Sequence, residues 1–303
     1  MTTLVPLGGS FQPSGTALRF NRFGYGAIRL AGEMAYGPPA DRDRARSVVR
    51  RAVELGINHI DTSDYYGPHV ANQIIREALH PYPDDLIIVT KVGARRGPDR
   101  SWPEALSRDD LVGAVHDNLR NLGVDALDVV NLRVGTPFST NEDSIAEPLG
   151  VLDELQNQGL IKHIGLSNVS VAQVRQAQSI APIVCVQNRY NVAFRHDDPL
   201  IDMLARLGTA YVPFHPLGGF QPLESSVLDA TAAAVGATTR QVALAWMLQR
   251  SPNILVIAGT SSLEHLEANV AASAIVLPAD VVAQLDQVQP QQRLGRPPVS
   301  GGR

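Results

Sequence analysis

The chain of 303 residues is 44% hydrophobic and 18% charged, enough apolar material for a full globular core and too little charge for a disordered chain. Its formal net charge is −4 with both signs mixed, and no lysine- or arginine-rich block offers a footprint for nucleic acid or an anionic membrane. A single cysteine, Cys185, excludes an intramolecular disulfide and Cys-x-x-Cys zinc sites; it lies in the apolar run Ile183-Val184-Cys185-Val186 and reads as a buried, unreactive thiol.

Met1 to Gly15 has no cationic segment followed by an apolar one, and no apolar stretch approaches the roughly 20 residues a membrane helix needs. The expectation is a cytoplasmic protein with no membrane partner and no metal. In chain order, apolar runs at Arg22–Gly26, His59–Asp61, Leu86–Lys91, Leu127–Arg133, Lys162–Leu166, Ile183–Gln187, Ala210–Phe214 and Ile254–Ile257 read as strands. Between them, Ala45, Val48, Val49, Ala52 and Val53 recur at helical spacing, as do Ala71, Ile74, Ile75 and Ala78, and Leu111, Val115, Leu119 and Leu122. Gly56, Gly123, Gly159 and Gly208 stand where left-handed residues end helices, and Thr238 or Thr239 and Ser261 or Ser262 are candidate N-caps.

Strands alternating with helices predict an α/β fold. Eight such units suit one (β/α)8 TIM barrel domain over 1–303, with two extra helices in the C-terminal half, near Ser225–Val235 and Asp280–Val288, and a Pro/Gly-rich tail at 289–303. A doubly wound sheet is the competing architecture, but Gly24-Tyr25-Gly26 lacks the third glycine and the following helix of a dinucleotide-binding turn.

Barrel chemistry sits at the carboxyl ends of strands. Asp61 ends the second strand, Tyr66 follows in Asp61-Thr62-Ser63-Asp64-Tyr65-Tyr66-Gly67, and Lys91 ends the third. Singly, each has a structural reading as a cap, a cleft wall or a snorkelling lysine. Together they fit proton delivery to a carbonyl oxygen while hydride reaches the carbon. Phenols ionise near 10, and an ammonium about 4 Å away is worth roughly 4 kcal/mol at an effective dielectric of 20, so Lys91 is expected to lower the Tyr66 pKa. Asp61 would return part of that shift while keeping Lys91 charged and aimed.

At these residues the chain resembles the aldo-keto reductase superfamily, from about Phe23 to Val288. The family's Asp-Thr-Ala/Ser-x-x-Tyr-Gly motif falls on Asp61 to Gly67, and its acid directly precedes the glycine, which selects Tyr66 over Tyr65; its strand-end lysine falls on Lys91. The resemblance implies a nicotinamide cofactor along Gly26 and Ala27, with Asp61, Ser167, Asn168 and Gln187 near the carboxamide and Phe214 as the platform before Pro216 and Leu217. Gly259, Thr260, Ser261 and Asn269 would hold the phosphates and adenosine at a helix N-terminus. Two positions depart from the family. The basic residue that often takes the 2′-phosphate in this last segment is missing, with Ser261, Ser262, His265 and Glu267 instead, so NADPH is favoured over NADH on the resemblance alone. The histidine at the end of the fourth strand is replaced by Arg133, two residues after Asn131 on the same face.

Gly37-Pro38-Pro39, Tyr66-Gly67-Pro68-His69-Val70, Val130-Asn131-Leu132-Arg133 and Pro216-Leu217-Gly218-Gly219-Phe220 look like the bacterial branch that reduces pyridoxal with NADPH, which implies a small aldehyde substrate. On that reading Arg133 faces the substrate; otherwise it pairs with a loop carboxylate such as Glu142 or Asp143. Competing functions are a broad aldehyde and ketone reductase, a slow cofactor-binding sensor, and an aldolase using Lys91 as a Schiff base.

Overall fold

The structure is a computed structural model that describes residues 7–135, 141–219 and 225–288. A short antiparallel hairpin, β1 (Ser10–Phe11) and β2 (Phe20–Asn21), precedes eight parallel strands. These are β3 (Phe23–Gly26), β4 (His59–Asp61), β5 (Ile87–Val92), β6 (Leu127–Arg133), β7 (Ile161–Ser167), β8 (Ile183–Arg189), β9 (Ala210–Phe214) and β10 (Val256–Ile257). They pair in sequence order and β10 pairs back with β3. Leu255 N–H donates to the Tyr211 carbonyl at 2.9 Å, which joins β9 to the segment entering β10 and closes the expected TIM barrel.

Ten helices complete the described residues, and none is long and apolar enough to cross a membrane. In α1 (Arg42–Glu54), α2 (Val70–Leu79) and α3 (Arg108–Leu122), the predicted apolar stripes are the buried faces, at Ala45, Val48, Val49 and Ala52, at Ala71, Ile74 and Ile75, and at Leu111, Val115 and Leu122. The outer ring continues with α4 (Ala146–Asn157), α5 (Val171–Gln178) and α6 (Asp198–Leu207). The two extra helices are α7 (Ser226–Val235) and α10 (Ala279–Leu285), flanking α8 (Thr239–Arg250) and α9 (Leu263–Ala271). Thr238 caps α8 by accepting from Gln241 N–H, and Ser262 caps α9 by accepting from His265 N–H. The tail at 289–303 lies outside the described residues.

Alternation along the strands divides the core. Ile87 and Val89 of β5, Val129 of β6, Cys185 of β8, Val212 of β9 and Ile257 of β10 fill the barrel interior, whereas Ile60, Ile88, Val130 and Leu132 pack outward against the helices. Phe20 of the hairpin plugs the amino-terminal end, a feature the sequence did not announce because two-residue strands carry no alternation. Strand β10 is shorter than expected, since Ile254 makes only an isolated bridge to Tyr211. Asn131 crosses the interior. A Cβ on Gly165 would lie 2.0 Å from Asn131 Oδ1 and 2.5 Å from Cys185 Sγ, so only glycine fits there. The Cys185 thiol donates to Asn131 Oδ1 at 3.2 Å, and burial pushes its pKa up to about 12, in keeping with an inert core thiol.

Low in the barrel, His59 is buried edge-on to Phe20, with both ring nitrogens lacking a hydrogen-bond partner among the described residues. Burial lowers its pKa to about 4. In the unfolded chain the imidazole protonates near its ordinary value of about 6.5, so between these pH values the unfolded state binds the extra proton. Stability from this site is therefore full above about pH 6.5 and declines as pH falls toward 4, by about 3 kcal/mol at the limit. Thermal melts should lose midpoint steeply between pH 7 and 4.5, and His59→Leu should flatten that slope. An unchanged slope in the variant would assign the acid sensitivity elsewhere.

Candidate active site

At the carboxyl end of the barrel, backbone pairing puts Gly26 beside Asp61, Lys91 beside Asn131, Arg133 beside Ser167, and Ser167 beside Gln187. The floor of the cleft is thus a ring of polar residues above an apolar interior. Asp61 and Lys91 are both buried and joined, with Lys91 Nζ donating to Asp61 Oδ1 at 2.6 Å and to the Thr62 carbonyl at 2.8 Å. The second Asp61 oxygen accepts from Gln187 Nε2 at 2.7 Å. Lys91 Nζ stands 5.3 Å from the centre of the Tyr66 ring.

The β4–α2 turn that carries Tyr65 and Tyr66 is held by a buried amide network. Thr62 Oγ1 donates to Asn72 Oδ1 at 2.8 Å, and Asn72 Nδ2 donates to Asp64 Oδ1 at 3.1 Å and to Asn118 Oδ1 at 2.9 Å. Asn121 Nδ2 donates to the same Asp64 oxygen at 2.9 Å, and the Asp64 Oδ2 to His69 Nδ1 distance is 2.6 Å. Asp64, His69 and Asp117 bring ligand-type atoms within 4.8 Å of one another, but the Asp64 oxygens are committed to these side chains. Gly67, at φ +109°, closes the turn where a Cβ would sit 2.4 Å from Val70 Cβ.

Burial is the main cause raising the Tyr66 pKa well above the ordinary phenol value, with the Asp61 charge adding to it and Arg133 opposing. The expected lowering by Lys91 is therefore corrected. Its ammonium is neutralised at 2.6 Å by Asp61, and desolvation of the phenolate dominates what remains. Burial also pushes Tyr65 up, to about 12. Tyr65, Tyr66 and Trp102 meet edge to face, with centroids 5.4 to 6.3 Å apart, and the Arg96 guanidinium lies 3.8 Å over the Trp102 ring. The part that Trp102 and Arg96 of the long loop after β5 play in this aromatic wall was not identified from the sequence.

Arg133 faces the cleft rather than the loop carboxylates. It is 9% exposed, donates at 3.4 Å to the Gly135 carbonyl, and makes no ion pair among the described residues, while Glu142 accepts from Ser170 Oγ at 3.0 Å. The alternative pairing with Glu142 or Asp143 is accordingly not seen.

From the polar floor a cavity of about 860 Å³ runs across the barrel mouth to the start of α9. Of the residues expected to hold a nicotinamide cofactor, Gly26, Asp61, Ser167, Gln187, Phe214, Pro216, Leu217, Gly259, Thr260, Ser261 and Asn269 line it. Two do not. Ala27 starts a short 3-10 helix and its methyl packs into the core, and Asn168, at φ +62°, turns its amide back to the Val134 carbonyl at 2.7 Å. Glu267 also leaves the site, pairing with Arg51 at 2.8 Å. A Cβ on Gly259 would lie 2.4 Å from the Gly26 carbonyl, so the glycine pair keeps this stretch of wall thin and its backbone accessible. With a flat ring at Phe214, amide and hydroxyl groups at Gln187 and Ser167, and a capped helix end at Ser262, the cleft fits an extended dinucleotide.

The sequence pattern of the aldo/keto reductase family matches residues 22–290. The chain is 63% identical over 270 residues to pyridoxine 4-dehydrogenase of Escherichia coli K12, covering 88% of this chain and 94% of that protein. It is 37% identical over 268 residues to an uncharacterised oxidoreductase of Schizosaccharomyces pombe, covering 88% and 86%. Among solved structures, a thermostable aldo-keto reductase in complex with the inhibitor epalrestat superposes with a TM-score of 0.79 at 29% identity, covering 92% of this chain and 99% of that one. An aldo/keto reductase from Klebsiella pneumoniae in complex with NADP and acetate shares the fold, with a TM-score of 0.75 at 24% identity and coverage of 94% and 96%. By sequence and by fold, the chain belongs to the aldo/keto reductase family of oxidoreductases.

Proposed function

We propose that this enzyme reduces pyridoxal to pyridoxine with NADPH, with Tyr66 as the general acid. The observation that carries the chemistry is the convergence of Asp61, Lys91, Tyr66 and Arg133 at one end of a cleft long enough for a dinucleotide. The substrate reading is supported by the 63% identity to a pyridoxine 4-dehydrogenase, whose named substrate is the alcohol form of the same molecule.

When bound, the nicotinamide supplies a hydride to the aldehyde carbon. Tyr66 donates its phenolic proton to the carbonyl oxygen as negative charge develops there. Both phenols line the cleft, but the Tyr65 hydroxyl is shut away from solvent, which favours Tyr66 as the donor. The raised Tyr66 pKa keeps that proton in place until an oxygen more basic than phenolate appears. Lys91, fixed by Asp61, faces the Tyr66 ring and holds it in place, while the Arg133 charge favours the phenolate left behind. Ser167 and Gln187 orient the carboxamide, Phe214 supports the ring, and Gly259 to Ser261 offer backbone and hydroxyl groups to phosphate. Arg133 binds the ring oxygen beside the aldehyde of pyridoxal, which ionises readily, and aims the carbonyl at Tyr66. We place the reaction in the cytoplasm, within a single barrel domain.

A panel of pyridoxal and simple aromatic aldehydes, run with NADPH and with NADH, tests this. Pyridoxal with NADPH is expected to show the highest kcat/KM. Equal rates on every aldehyde would replace it with a broad reductase, and no NADPH oxidation on any would leave only a cofactor-binding role.

A further inference from the structure

Along α9 and the segment before it, Ser261, Ser262, His265 and Glu267 replace the expected basic partner for a 2′-phosphate. Ser262 spends its hydroxyl capping the helix, and Glu267 points away to Arg51. The tertiary structure brings a guanidinium to the same end of the cleft from another element. Arg240, the second residue of α8, lines the cavity together with Ser261, His265 and Asn269.

Its backbone is held in place. Thr238 and Gln241 form a reciprocal capping box, and Gln241 Nε2 reaches across to the Ala268 carbonyl of α9 at 2.9 Å, tying the two helices together next to Arg240. The Arg240 side chain is solvent-exposed and makes no hydrogen bond or ion pair among the described residues. Nearby Asp229 accepts from Thr239 Oγ1 at 3.1 Å. The other cations lining the cleft serve other places: Lys91 pairs with Asp61, Arg133 stands beside Ser167 on the cleft floor, Arg29 donates to the Gly219 carbonyl at 3.2 Å, and Arg100 lies 5.5 Å from the Tyr36 ring.

Resting on the NADPH reading above, we propose that Arg240 binds the adenosine 2′-phosphate and makes the enzyme select NADPH over NADH. A planar guanidinium matches two phosphate oxygens at once, and a phosphate monoester carries between one and two negative charges at neutral pH, whereas NADH presents only a hydroxyl there.

Isothermal titration of the full chain with NADPH, NADH, adenosine 2′,5′-bisphosphate and 5′-AMP separates the contributions without relying on turnover. Arg240→Ala is expected to weaken NADPH and the bisphosphate by about 10- to 100-fold and to leave NADH and 5′-AMP within about twofold. Arg240→Lys should recover part of the loss, because it restores charge without the fork. A variant that keeps the wild-type preference for NADPH would overturn the role of Arg240 alone. Equal weakening of NADPH and NADH would overturn it as well, moving the side chain to the pyrophosphate or to a structural role. A wild-type chain that binds NADH as tightly as NADPH would overturn the cofactor reading itself, and this proposal with it.

Discussion

Tyr66→Phe is expected to lower kcat for aldehyde reduction by about 10² or more while leaving the NADPH dissociation constant within about twofold. The substitution removes one oxygen and keeps the ring, so the edge-to-face contacts with Tyr65 and Trp102 and the wall of the cleft survive. What is lost is the proton needed as the carbonyl oxygen becomes an alkoxide. Tyr65→Phe is the matched control; its hydroxyl is closed off from solvent, and turnover should change little. A second signature follows from the raised Tyr66 pKa. Since burial and Asp61 both favour the neutral phenol, the acid stays protonated through the neutral and mildly alkaline range, and wild-type kcat should show no fall there from Tyr66 ionisation. Near-normal turnover in Tyr66→Phe would remove the tyrosine from the mechanism, whatever the pH profile.

Arg133→His should separate substrates rather than abolish activity. A guanidinium is charged at all working pH values and offers a fork of N–H donors, whereas imidazole is mostly neutral near pH 7 and offers one. Arg133 is buried at the cleft floor and makes no ion pair among the described residues, so its charge is available to a ligand. A hydrogen bond to an ionised partner contributes about 1.5 to 3 kcal/mol, which corresponds to roughly 10- to 150-fold in kcat/KM for pyridoxal. Aromatic aldehydes without an ionisable oxygen next to the carbonyl should keep most of their rate, because hydride and Tyr66 are untouched. An equal loss on both classes would mean that Arg133 shapes the floor or supports Tyr66, and that it does not read the substrate.

Much of this architecture is legible in the order of residues, because the physics that writes it is local. Apolar runs with period 2 and stripes with period 3.6 mark the eight strands and the helices that cover them, and left-handed glycines such as Gly123 and Gly208 stop helices where their φ demands. A barrel then sends strand ends to one rim, so Asp61, Lys91, Arg133 and Gln187 meet although as many as 126 residues separate the hydrogen-bonded pair Asp61 and Gln187. What only the tertiary structure decided depends on contacts between elements and on water excluded by them. Asn118 and Asn121 look like ordinary helix positions until α3 packs beside α2, 46 and 57 residues from their partners Asn72 and Asp64, and braces the turn that carries Tyr66. Arg240 joins Ser261, His265 and Asn269 at the cavity wall because α8 packs against α9, to which Gln241 ties it. The direction of the Tyr66 shift could not be read from spacing: a lysine nearby, only partly offset by Asp61, predicts a lower pKa, whereas the depth of burial, set by packing, turns it upward with Asp61 adding to it.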